Sequence, residues 1–202
     1  MENNKLQIPE NWSEVSIEQF QELSTYTGEN SIQNSINVIA CLTDSDPEDV
    51  KMMSTESLKA VTEALKWSSE PPSSEFKHTI NIDGIDYSMI PKMNEMTVGE
   101  WVDIDEYSND FIGNLHLIMA ILYRPLISVI NDRTRYIKAY NANECLENAK
   151  VFKDKVSVGD CYGAALFFFL IGSRFTNNLA IYLETETKKE TMIFEENQKQ
   201  KK

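Results

Sequence analysis

One helix-start pattern is written four times in this chain, and it restricts the fold more than any other feature. An apolar residue precedes a Ser or Thr, a polar or acidic residue stands three positions after the hydroxyl, and a second apolar residue stands four after it. The copies are Val15-Ser16-Ile17-Glu18-Gln19-Phe20, Met53-Ser54-Thr55-Glu56-Ser57-Leu58, Met96-Thr97-Val98-Gly99-Glu100-Trp101 and Val156-Ser157-Val158-Gly159-Asp160-Cys161. At a helix N-terminus the hydroxyl accepts from an amide that has no partner inside the helix. The third residue bonds back to the cap, and the flanking apolar pair staples the incoming chain. Helical apolar spacing follows each copy, so four helix starts are expected at these positions.

The copies at Ser16 and Thr97 are 81 residues apart and stay aligned beyond the cap. Phe20, Leu23 and Tyr26 correspond to Trp101, Ile104 and Tyr107, and Ile8-Pro9 and Ile90-Pro91 precede the two segments. A second pair at a similar offset is Val38-Ile39-Ala40-Cys41-Leu42 with Ile118-Met119-Ala120-Ile121-Leu122. The spacing predicts a mainly α fold built from two related helical units of three-helix type, with one or two β-hairpins in the second.

The first unit, residues 1–70, is expected to hold helices near 16–27, 31–43 and 54–67. Residues 71–75 read as a linker, because the Pro71-Pro72 pair lacks amide donors and holds the chain extended. The second unit, 76–194, opens on a strand pattern in which Asp83-Gly84 supplies a two-residue hairpin turn. That turn pairs Ile82 with Ile85, Ile80 with Tyr87 and His78 with Met89. Helices near 97–108 and 111–123 follow, the second stopped by Pro125. A β-branched run from Leu126 to Ile137 breaks at Asn131-Asp132, which suggests a second hairpin. A helix near 142–154 comes next, and the fourth cap opens an apolar segment from Cys161 whose spacing continues through Tyr182. Residues 195–202 form a tail too charged to pack.

Charge narrows the partners. Residues 1–110 carry 22 Asp/Glu against 6 Lys/Arg, whereas 111–202 carry 10 against 13. A net charge of −13 disfavours nucleic acid as the main partner, since phosphate neutralisation needs a basic face. The polarised distribution suits the orientation of partners or copies. Cys41, Cys145 and Cys161 are odd in number and set in apolar context, which fits core thiols in a reducing compartment. Residues 1–11 are polar and lack the apolar core of a secretion signal. Leu166-Phe167-Phe168-Phe169-Leu170-Ile171 is about half the ~20 residues a bilayer crossing needs, so no membrane span is expected. Being apolar all round, it must be covered by core or by a partner.

Catalytic and cofactor patterns are missing from the sequence. It contains no Gly-rich phosphate loop, dinucleotide fingerprint, paired-Cys zinc pattern, HExxH helix or calcium loop. His78 and His116, the only histidines, sit among apolar neighbours and read as packed residues. Glu100, Asp103 and Glu106 share a helical spacing that a hard cation or a carboxylate-based enzyme would use, but a solvated face favoured by the helix dipole accounts for them more simply. The expectation is therefore a non-enzyme with no metal and no cofactor. Its candidate interface comprises Tyr123, Arg124, Phe167, Phe168, Phe169, Arg174 and Phe175, with Arg124 placed either to complement a helix C-terminus or to clamp a partner carboxylate.

Three stretches together carry a resemblance. Thr97-Val98-Gly99-Glu100-Trp101, then Leu115-His116 and Ile121-Leu122-Tyr123-Arg124-Pro125, then Phe152-Lys153 and Tyr162-Gly163-Ala164-Ala165-Leu166-Phe167-Phe168, resemble small virion or assembly proteins of tailed phages, including crAss-like phages. The likeness covers roughly residues 90–172. It implies a structural role around the portal, neck or tail as a ring, adaptor or packaged component, acting through phage structural proteins or copies of itself. Tail-assembly chaperoning is the alternative it implies. The expected location is the virion, or the cytoplasm of the infected host.

Overall fold

The four hydroxyls expected to open helices all do so. In the computed structural model, which describes residues 6–26, 31–75, 77–90, 95–131 and 134–170, Ser16 caps α1 (Ile17–Leu23), Ser54 caps α4 (Thr55–Ala64) and Thr97 caps α5 (Val98–Ser108). Ser157 Oγ accepts from the Asp160 amide at 3.2 Å and opens α8, residues 158–170. At Ser16 and Thr97 the capping box is reciprocal, with the side chain three residues on bonding back to the cap amide. Between these lie α2 (Ile32–Leu42), α3 (Pro47–Lys51), α6 (Leu115–Leu122) and α7 (Ala142–Lys155).

Mainly helical architecture is joined to one four-stranded antiparallel sheet. Strands β1 (Thr79–Ile82), β2 (Ile85–Met89), β3 (Tyr123–Asn131) and β4 (Thr134–Ile137) are neighbours in that order. The first hairpin has the expected register, Ile80 opposite Tyr87 and Ile82 opposite Ile85. Asp83 and Gly84, at φ 51° and 82°, supply the positive angles its turn requires. Its apolar face is narrower than expected, because Ile85 beside the turn and His78 are exposed while Ile80, Ile82 and Tyr87 are buried.

Three local details differ from the sequence expectation. The helix drawn over 111–123 begins only at Leu115, after a turn in which Asp110 Oδ1 accepts from the Gly113 amide. It ends at Leu122 because Tyr123 is already extended and pairs with Met89, so β2 and β3 join the two hairpins into one sheet. The helix drawn over 54–67 stops at Ala64, and a 3-10 turn, Lys66–Ser69, completes it. The unforeseen α3 is started by Asp46 with Pro47 in the first turn.

By internal packing the chain divides into Met1–Ala165 and Leu166–Lys202. In the first, α6 is buried on nearly every side and packs against α5, α7 and β3. A second apolar cluster gathers Val15, Ile36, Ile39, Leu42, Val50, Val61 and Leu65. Trp12 and Trp67 meet edge to face beside that cluster, and each indole N–H donates across the contact, to Glu70 O and Pro9 O. Segment 71–75 lies within this unit. A Cβ on Gly163 would fall 2.3 Å from Glu75 O and 2.5 Å from Ser74 O, so only glycine lets the segment lie on α8. In the second unit, described residues 166–170 are helical. Phe168 is buried there, and Phe167, Phe169 and Leu170 are exposed.

Candidate functional site

Glu100, Asp103 and Glu106 share α5 but serve three different surroundings. Glu100 is 1% exposed, and its Oε2 accepts from the Thr97 amide at 2.6 Å and the Thr97 hydroxyl at 2.8 Å, closing the capping box. Its Oε1 lies 2.9 Å from Arg124 Nη2 at the start of β3. That contact is charge against charge rather than an aligned hydrogen bond, since Glu100 Oε1 and Arg124 Nε have no hydrogen-bond partner. Asp103 accepts from the Tyr140 hydroxyl. Glu106 is exposed. Among the described residues, no three His, Cys, Asp or Glu side chains converge as a metal site.

Asp103 and Tyr140 edge a cleft of about 130 Å³ between α5, α6 and α7, lined also by Tyr107, Leu117, Ile121, Cys145 and Leu146. Burial, reinforced by the neighbouring Asp103, raises the pKa of both Tyr107 and Tyr140. Burial likewise raises that of Cys145, whose thiol donates to Ala120 O. Phenols and thiol therefore stay protonated at neutral pH, and these three groups present hydrogen bonds and apolar surface rather than a nucleophile. Burial pushes the Cys41 thiol up to about 12 and raises Cys161 as well. His116 is held neutral, first by burial and then by nearby Lys153. Gln21 on α1 joins it to the turn before α6, within bonding distance of His116 Nδ1 and of the carbonyls of Ile112 and Gly113.

Among the described residues, the interface positions expected from sequence differ in exposure. Tyr123 is fully buried and donates its hydroxyl to Lys77 O. Arg124 is 9% exposed and occupied by Glu100. Phe167 and Phe169 are exposed, and Phe168 is buried. Arg174 and Phe175 lie outside the described residues, as do the apolar spacing through Tyr182 and the 195–202 tail.

Two exposed apolar surfaces were not anticipated. Ile127, Val129 and Ile130 on β3 and Tyr136 on β4 are 68, 53, 65 and 52% exposed. On α5, Val98 and Val102 are 80 and 57% exposed. The signal for the first was the β-branched run itself, which lacks the polar alternation of a strand with one solvated face. The signal for the second was valine at i and i+4 on the side of α5 away from buried Glu100 and Ile104.

No protein-family model matches the chain, no curated protein matches it, and no solved structure matches it.

Proposed function

We propose that this chain is a non-enzymatic structural or assembly protein of a tailed phage that acts by binding other proteins. The observation that carries the reading is the pairing of exposed apolar side chains on β3, β4 and α5 with engaged polar groups nearby. Glu100 is committed to Arg124 and Asp103 to Tyr140, while Ile127, Ile130 and Val98 stand in water. Exposed apolar patches of this kind favour a protein contact over solvent. The likeness of residues 90–172 to phage virion and assembly proteins supplies the setting.

Within this reading the chain carries two related helical units, and recurrent geometry supports that ancestry. Gln19 accepts from the Ser16 amide and donates to Cys41 O at the end of α2; Glu100 accepts from the Thr97 amide and meets Arg124 just past the end of α6. Asn34 Nδ2 donates to Tyr26 O, and Asn114 Nδ2 donates to Tyr107 O. Gln19 and Glu100, and Tyr26 and Tyr107, stand at the 81-residue offset of the caps, and Asn34 and Asn114 stand one residue short of it.

Protein mass spectrometry of purified particles and of infected cells tests the function. Recovery from particles at a stoichiometry above trace is expected. Recovery from infected cells alone would replace the structural role with the chaperone role, and recovery from neither would end the phage reading.

A further inference from the structure

We propose that the cleft between α5, α6 and α7 receives a lysine side chain of a partner protein, with the methylene stem on Leu117, Ile121 and Leu146 and the ammonium against Asp103. The inference rests on the protein-binding reading above and names what the partner presents.

Size and depth come first. Ile121 and Cys145 are buried at the floor of the cleft, Asp103, Tyr107, Leu117 and Tyr140 are half-buried, and Ala142 and Leu146 are exposed at its mouth. Its volume of about 130 Å³ is close to that of the ~150 Å³ apolar cavity that holds a benzene ring. A lysine side chain, a four-carbon stem and one nitrogen, has fewer heavy atoms than that ring.

Charge then selects the occupant. Among the described residues no Lys, Arg or His lines the cleft, and the carboxylates Asp103 and Glu106 are the ionised side chains that act on Tyr107 and Tyr140. Arg124 acts on Cys145, but its charge is met by Glu100. An anion would meet Asp103 with no cation to offset it, and an apolar ligand would strip water from that carboxylate and return nothing. An alkylammonium satisfies both the apolar wall and the charge. Asp103 Oδ2 already accepts from Tyr140, so Oδ1 is the oxygen left to the ligand. A guanidinium grips a carboxylate through both oxygens, whereas an ammonium is a point charge that one oxygen serves. Because Asp103 is half-buried, the ammonium keeps part of its water, and the desolvation that penalises a buried ion pair stays small.

Nuclear magnetic resonance titration of the full chain with three capped amino acids tests these requirements separately. Nα-acetyl-lysine methylamide is expected to shift the amides of Asp103, Tyr107 and Cys145, with a Kd on the order of millimolar. The norleucine analogue keeps the stem without the ammonium, the arginine analogue carries the fork, and each should bind about fivefold more weakly. Asp103→Asn should bring lysine down to the norleucine level. Asp105→Asn removes the same charge from an exposed position outside the cleft and should leave the preference intact. Ala142→Leu fills the mouth from an exposed position and should weaken all three ligands, which supplies the result if the spectrum of Asp103→Asn shows it unfolded. No shift at these amides overturns the proposal, as does norleucine or arginine binding as tightly as lysine. So does a lysine preference unchanged in Asp103→Asn, or lysine binding unchanged in Ala142→Leu. Lysine selectivity without recovery from particles would sink the phage reading alone, and recovery from particles without lysine selectivity would sink this site alone.

Discussion

Glu100 and Arg124 place opposite charges where water reaches neither freely, and that makes each the other's main debt. Coulombic attraction inside a protein offsets the desolvation of two ions only while both are present. Arg124→Ala should cost about 3–5 kcal/mol in urea unfolding, since it strands a carboxylate that is 1% exposed. The double variant Glu100→Gln with Arg124→Met should be markedly less damaging, because glutamine can still close the capping box and methionine fills the space of the guanidinium stem. Equal losses in the single and double variants would show that the pair contributes nothing beyond packing. Both residues were visible in the sequence, Glu100 in a cap and Arg124 beside Pro125. Their pairing was not, because it joins a helix to a strand 24 positions away and no local pattern encodes that distance.

Helix starts were legible because the chemistry of a cap is complete within four residues. Thr97 makes the point quantitative: its hydroxyl accepts from the Glu100 amide at 3.2 Å, and replacing it with alanine should destabilise the fold by about 1 kcal/mol. Thr97→Ser should recover most of that loss, and an unchanged urea midpoint in Thr97→Ala would show that the cap is not holding α5. The first hairpin was legible for the same reason, since Asp83-Gly84 fixes its register locally. Its joining to β3 was not, because Met89 meets Tyr123 only after α5 and α6 have been laid down between them. Tyr123 also sits at the end of an apolar helical run, so periodicity extended α6 one residue too far. At α3 the Asp46-Pro47 signal was present, but five residues are too few to show a helical period.

At the scale of the molecule, composition and contact point in different directions about residues 71–75. Proline pairs suggest a boundary there, yet several contacts cross it within Met1–Ala165. The first and fourth helix caps lie side by side: Ile17 N donates to Val156 O at 3.0 Å and Val158 N to Val15 O at 2.8 Å, pairing Ser16 with Ser157 in an antiparallel bridge. A Cβ on Gly159 would lie 2.8 Å from the Ser13 amide nitrogen, so the two backbones meet without room for a side chain. Gln21 reaches the turn before α6, and Phe20 stacks edge to face on Tyr162 at 5.9 Å. Contacts of this density couple the unfolding of the segments they join. Leu65→Ala in the second apolar cluster and Ile118→Ala in α6 should each cost about 2–5 kcal/mol and should shift one common transition. Tryptophan fluorescence, which reports on Trp12 and Trp67 as well as Trp101, and far-UV circular dichroism should then give the same midpoint in each variant. Independent halves would behave differently: Leu65→Ala would lower one step and leave a second in place, and the two probes would separate. Coincident transitions would mean that the linker composition marks where two helical units were joined, while the contacts across it make them fold as one.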